Sequence, residues 1–179
     1  MGNEYGTGMI RTSLTAMPRR GTVLAAKCAV LTGVVAVAGT AAVLGALLTG
    51  QIVLPDLGDR TLSLSHGPTL RAVVGSVLYL VLIGLLSLGV TTAVRDSAMS
   101  IGVVLGLLYV VPIVAGTVGD RRLRHVLETI APMSAGLAVQ ATTRLADLPL
   151  SPWAGLGVTA AWAAAALLVG GLLLHKRDP

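Results

Sequence analysis

Residues 72–94 read AVVGSVLYLVLIGLLSLGVTTAV, Arg95-Asp96 follows, and residues 97–119 read SAMSIGVVLGLLYVVPIVAGTVG. Two runs of 23 residues, neither holding Asp, Glu, Lys, Arg or His, are thus parted by one pair of opposite charges. A helix needs roughly 20 apolar residues to cross the hydrocarbon core of a bilayer, so each run is long enough by itself. The two helices must then form a tight antiparallel hairpin about Arg95-Asp96.

Working outward, Cys28–Pro55 and Leu148–Leu174 are further uncharged runs of 28 and 27 residues, and the four runs together hold 101 of the 179 residues. The chain is 54% hydrophobic, 12% charged and 3% aromatic, with a mean hydropathy of +0.84. Average globular domains carry about 25% charged residues, and half that density cannot cover a soluble surface of this size. A soluble enzyme, a disordered tail and a disulfide scaffold are excluded. The composition specifies an all-α, polytopic helical membrane protein with four transmembrane helices, at about 23–48, 72–94, 98–118 and 153–174.

The intervening segments differ in kind. Gly50 to Leu70 reads as a loop, because Pro55, Asp56, Gly58, Asp59 and Gly67-Pro68 are turn residues. Pro112 lies inside the third span and is expected to bend it, since its ring removes a backbone hydrogen bond. Asp120 to Asp147 opens with four basic or histidine residues among six and then holds a charge-free stretch, Thr129–Thr143, of 15 residues. That stretch is too short to cross and too apolar for an ordinary loop. A re-entrant or interfacial helix over about 126–143 is the expectation.

Little chemistry is available to such a chain. Between their flanking charges the spans hold no ionisable side chain apart from Tyr79 and Tyr109. A mid-bilayer charge costs roughly 2.5–3.5 kcal/mol on insertion scales, and ion-coupled transporters and intramembrane proteases accept that cost at their sites. His66, His125 and His175 fall in loops or at a span end, Cys28 is alone, and no grouping has metal-ligand spacing. The P-loop pattern is absent: Gly21 to Lys27 lacks the second glycine and the hydroxyl. No catalysis, cofactor or metal is expected, and any transport must be driven from another chain. The net charge of +5 comes without a basic stripe interleaved with aromatics, so nucleic acid is not a partner. Gly102 and Gly106 form a GxxxG pair that intrachain packing explains as well as a dimer does. With four spans the termini share a side, and basic residues divide seven on that side to six on the other. Arg19, Arg20 and Lys27 before the first span favour cytoplasmic termini.

Residues 1–20 form a separate cytoplasmic unit preceding the transmembrane domain, 21–179. Asn3 can cap a helix, Glu4 suits the positive end of its dipole and Pro18 marks its end. Tyr5, Met9, Ile10, Leu14 and Met17 recur at helical spacing and make one apolar stripe. By periodicity this is a helix lying on the membrane surface, or one that docks on a cytoplasmic partner.

Glu4-Tyr5, Gly8, Ile10-Arg11, Leu14, Ala16 and Pro18-Arg19-Arg20, followed by Lys27, closely resemble a stretch in the permease subunits of type-2, exporter-class bacterial ABC transporters. Arg71-Ala72-Val73-Val74-Gly75 resembles the start of that family's next span. Ala131-Pro132-Met133-Ser134-Ala135-Gly136 resembles its extracellular re-entrant region. Leu150-Ser151-Pro152-Trp153-Ala154-Gly155 and Lys176-Arg177-Asp178 resemble the start of its last span and its basic tail. The resemblance implies that residues 1–20 are the coupling helix, set in a groove of a separate ATP-binding subunit. Glu4, Tyr5, Gly8, Met9, Arg11, Leu14, Pro18, Arg19 and Arg20 would then be the ATPase-coupling residues. It also implies a second permease subunit, as a homo- or heterodimer, in the bacterial cell membrane, with alternating access as the mechanism. The family has two more transmembrane helices before its coupling helix, so this chain reads as a permease lacking them. The alternative, which the short front of the chain supports, is a non-transporting membrane anchor or immunity-type protein, or an inactive permease fragment.

Overall fold

The structure, a computed structural model, describes Met9 and residues 20–53, 67–142 and 150–176. Among these the chain is all-α, with no strand, and four of its helices are long and apolar enough to cross a membrane. We number the helices α1 (Arg20–Val53), α2 (Gly67–Val94), α3 (Ser97–Thr117), α4 (Arg121–Ile130), α5 (Pro132–Leu137) and α6 (Pro152–Lys176). The spans are α1, α2, α3 and α6.

Two boundaries correct the sequence reading. Gly67 to Leu70 is the first turn of α2 rather than loop. Pro68 has no N–H to lose at a helix start and its fixed φ suits that position, so the residue read as a breaker is an initiator. α1 continues past Gly50 to Val53 and reaches 34 residues, about 50 Å, well beyond the ~30 Å that a bilayer core requires.

α2 and α6 form the centre and run parallel. Moving along α2 from Gly89 to Thr92 matches a move along α6 from Ala166 to Gly170. A Cβ at Gly89 would lie 2.5 Å from the Ala166 carbonyl carbon, and one at Gly170 would lie 2.6 Å from the Gly89 oxygen. Backbones approach this closely only where side chains are absent, which is how small residues hold helices together in lipid. Gly102 and Gly106 behave otherwise: among the described residues, a Cβ at either meets nothing within 4 Å.

α1 lies antiparallel to α2. Gly84 receives Leu31 and Val35, and Gly39 receives Leu80. Its start meets the end of α6, where Leu24 covers Gly171 and His175 faces Gly21. Most of α1 faces outward, with Val37 and Ile52 among its most exposed residues. Uncovered aliphatic side chains are what a lipid-facing helix presents.

α2 passes into α3 through two residues that each close a helix end. Arg95 adopts the left-handed conformation, φ 64°, and its N–H donates to the Thr91 carbonyl at 2.9 Å, an αL cap. Asp96 then caps α3, its Oδ1 accepting from the Met99 N–H at 2.7 Å. Within α3, Gly106–Val110 is a π-helical turn. It stands directly upstream of Pro112, whose ring in a regular helix would strike the Leu108 carbonyl. The wider turn gives the Pro112 ring its room.

Candidate coupling segment and the hairpin between two spans

The nine residues assigned to ATPase coupling divide by what can be described. Met9 is helical and 59% exposed, and Arg20 is the first residue of α1. Glu4, Tyr5, Gly8, Arg11, Leu14, Pro18 and Arg19 lie outside the described residues, so the structure brings no set of them together. The end of the bundle that this segment enters carries Arg20, Lys27, Arg95 and Lys176 against Asp96. The opposite end carries Arg71, Arg121, Arg122 and Arg124 against Asp120 and Glu128. Among the described residues, both ends are basic.

The most constrained part of the molecule is one the sequence reading only outlined. α4 descends beside the C-terminal part of α3, the chain turns at Ala131, and α5 with the 3₁₀ turn Ala138–Gln140 climbs back between α2 and α6. Pro132 starts α5 as Pro68 starts α2, its missing N–H costing nothing there. Ala131, Pro132, Ala135, Gly136, Ala138 and Val139 are all buried. Gly75 leaves the space that Val139 fills, Gly136 passes against Tyr79 and Thr159, and Gly155 passes against the Ala135 carbonyl. The core cluster of Tyr79, Val139 and Leu156, flanked by Leu82, Ile83 and Leu137, forms at this wedge.

A backbone that turns among apolar spans leaves carbonyls that lipid cannot satisfy. Side chains of α2 and α6 supply the donors. Trp162 Nε1 donates to the Ile130 carbonyl at 2.9 Å. Thr159 Oγ1 lies 3.0 Å from the Pro132 carbonyl and 3.2 Å from that of Gly155. Arg71 Nη2 donates to the Ala141 carbonyl at 2.7 Å, while its Nε is buried with no partner among the described residues. The end of α4, the start of α5 and the residue after the 3₁₀ turn are thereby each fixed to a span.

Comparison with known proteins adds no relative. No family model, curated protein or solved structure matches the chain.

Two cavities flank the wedge. One of about 380 Å³ lies between α2, α3 and α6 and is almost wholly apolar, lined by Leu86, Val90, Val103, Leu107, Trp162 and Ala166 among others. Another of about 680 Å³ lies between α1, α2 and the 3₁₀ turn, with Ser76, Tyr79, Gln140 and Thr142 on one wall and Val43 and Leu47 on the other. No group of three or more His, Cys, Asp or Glu able to hold a metal occurs among the described residues. His175 Nδ1 lies 2.8 Å from the Gly171 carbonyl, a local contact within α6.

Proposed function

We propose that the chain is the membrane-spanning permease part of an ATP-driven ABC exporter, working in a bacterial cell membrane with cytoplasmic termini. A separate subunit hydrolyses ATP, residues 1–20 carry its movement to the spans, and a second permease subunit completes the pathway. One observation supports this reading more than any other. The stretch Ala131–Gly136, whose sequence resembles the family's re-entrant region, is the stretch that turns back and wedges between the second and fourth spans. The N-terminal motif and the uncharged interiors of the spans support it further, since a transporter without its own coupling residues needs energy from a partner.

Opening and closing would be rigid-body helix movement, biased by ATP binding to the partner. α2 and α6 move as one body in this scheme, because the hairpin ties them together, while the sparsely packed α1 and α3 shift against them. The deciding experiment is co-purification with the ATPase encoded beside the gene. Association is expected for the wild type and lost in an Arg19→Glu/Arg20→Glu variant. Unchanged association would remove the coupling assignment and leave the anchor reading. Single cysteines at Asp59 and Arg122, in a Cys28→Ala background, should label from outside intact cells; labelling of either only after lysis reverses the orientation.

A further inference from the structure

α4 is strongly amphipathic. Arg121, Arg124, His125 and Glu128 share one face, with Arg122 and Thr129 beside them, while Leu123, Val126, Leu127 and Ile130 form the other. Among the described residues both faces are left partly open: Leu123, Val126 and Ile130 are exposed, and the side chains of the Arg124–Glu128 ion pair are 55% and 31% exposed. An apolar face can be left to lipid. A charged face cannot, if it lies within the bilayer.

Its depth follows from α6. Trp162 lies almost three turns, about 15 Å, along α6 from Pro152, and its indole holds the Ile130 carbonyl. Indole side chains lean toward the helix N-terminus, so the end of α4 sits about 10–15 Å below the Pro152 end of the bundle, toward the middle of a ~30 Å core. Arg121 and Arg122, at the top, can extend to headgroups. Glu128 cannot: its side chain is short, and it stands two residues from the deepest point. Charges at such depth face a protein interior or water, and the described residues leave Arg124 exposed and Glu128 only partly covered.

We infer that the polar face of α4 is one wall of a water-filled inlet that enters the membrane from the Asp120 end of the bundle and reaches Glu128. Arg121, Arg122 and Arg124 outnumber Asp120 and Glu128 along it, so the inlet is positive and concentrates anions over cations. It follows from the depth of the hairpin and does not depend on coupling to an ATPase.

The test uses the full chain in phosphatidylcholine nanodiscs, in a Cys28→Ala background, with single cysteines His125→Cys, Thr129→Cys and Val126→Cys. An anionic sulfonate thiosulfonate and its cationic trimethylammonium counterpart are compared, each rate divided by that with a free thiol in solution. His125→Cys and Thr129→Cys should react with both, the anionic reagent leading by about tenfold at low salt and losing that lead at high salt. Val126→Cys should react only with a lipid-soluble maleimide. Having two polar-face variants keeps the test intact if one fails to assemble. If neither polar-face cysteine reacts with the charged reagents, there is no inlet. Equal reaction of Val126→Cys would put both faces of α4 in open water, outside the membrane, and overturn it as well. A cationic reagent as fast as the anionic one would overturn the anion preference.

Discussion

The indole N–H of Trp162 and the carbonyl of Ile130, 32 residues apart, are 2.9 Å from each other at the floor of the hairpin. The bond closes the end of α4 at the point where the chain reverses. Replacing Trp162 by Phe keeps an aromatic ring in the space and removes the donor. Hydrogen bonds between membrane helices contribute about 0.6–2 kcal/mol, so Trp162→Phe should lose about 1 kcal/mol in unfolding by denaturing detergent. Trp153→Phe, at an exposed position one residue into α6, should lose almost nothing. Equal losses would mean that the bond adds no stability.

Thr159 allows a cleaner substitution, because Val has nearly its shape. Thr159→Val removes the second donor to the Pro132 carbonyl, which keeps its helical N–H partner, at a cost of about 0.5–1.5 kcal/mol. Thr159→Ser restores the hydroxyl and should recover most of the loss in the same unfolding measurement. Thr159 also lies within reach of its own Gly155 carbonyl. A Ser variant no better than Val would mean that the methyl lost in Ser contributes as much as the hydroxyl lost in Val.

The four spans were legible because a bilayer imposes both length and absence of charge, and no soluble fold imitates 101 uncharged residues in four runs. The helix–turn–helix character of residues 121–140 was half legible: Pro132 and Gly136 announce a break, and the shortness of the apolar stretch forbids a crossing. Its anchors were not. Arg71, Thr159 and Trp162 look like an interfacial arginine and ordinary span residues, and their partners stand 70, 27 and 32 positions away. No periodicity carries contacts of that range. Gly67-Pro68 was misread because the same residues end one helix or begin another, and only the fold decides which. Of the coupling segment, the described residues include Met9 and the backbone of Arg20, so its reading still stands on the resemblance of residues 4–20.

Glycine scanning should separate structural glycines from idle ones. Ala at Gly89 or Gly170 would force a Cβ to within 2.5–2.6 Å of the opposite backbone. Parting α2 from α6 costs about 1–3 kcal/mol, as overpacking does elsewhere. Gly102→Ala and Gly106→Ala meet open space and should leave monomer stability unchanged or slightly raised, since Ala is the better helix former. Thermal stability in detergent, at a concentration where the chain is monomeric, distinguishes the two pairs. A loss at Gly102 or Gly106 that grows with protein concentration would instead place that face against a second copy.

Arg95 combines two roles that substitution can part. Its left-handed backbone, φ 64°, costs a residue with a Cβ about 1–2 kcal/mol, which Gly would relieve. Its guanidinium extends to the last turns of α6, Nη2 lying 3.5 Å from the Leu173 carbonyl, where a cation complements the helix end. Arg95→Ala keeps the strain and loses the cation, so it should be the less stable variant by about 1 kcal/mol. Arg95→Gly should fall close to the wild type in detergent unfolding, because relief of strain offsets the lost contact. If Gly is instead as damaging as Ala, backbone strain is a minor quantity at this turn and the lost guanidinium accounts for the whole effect.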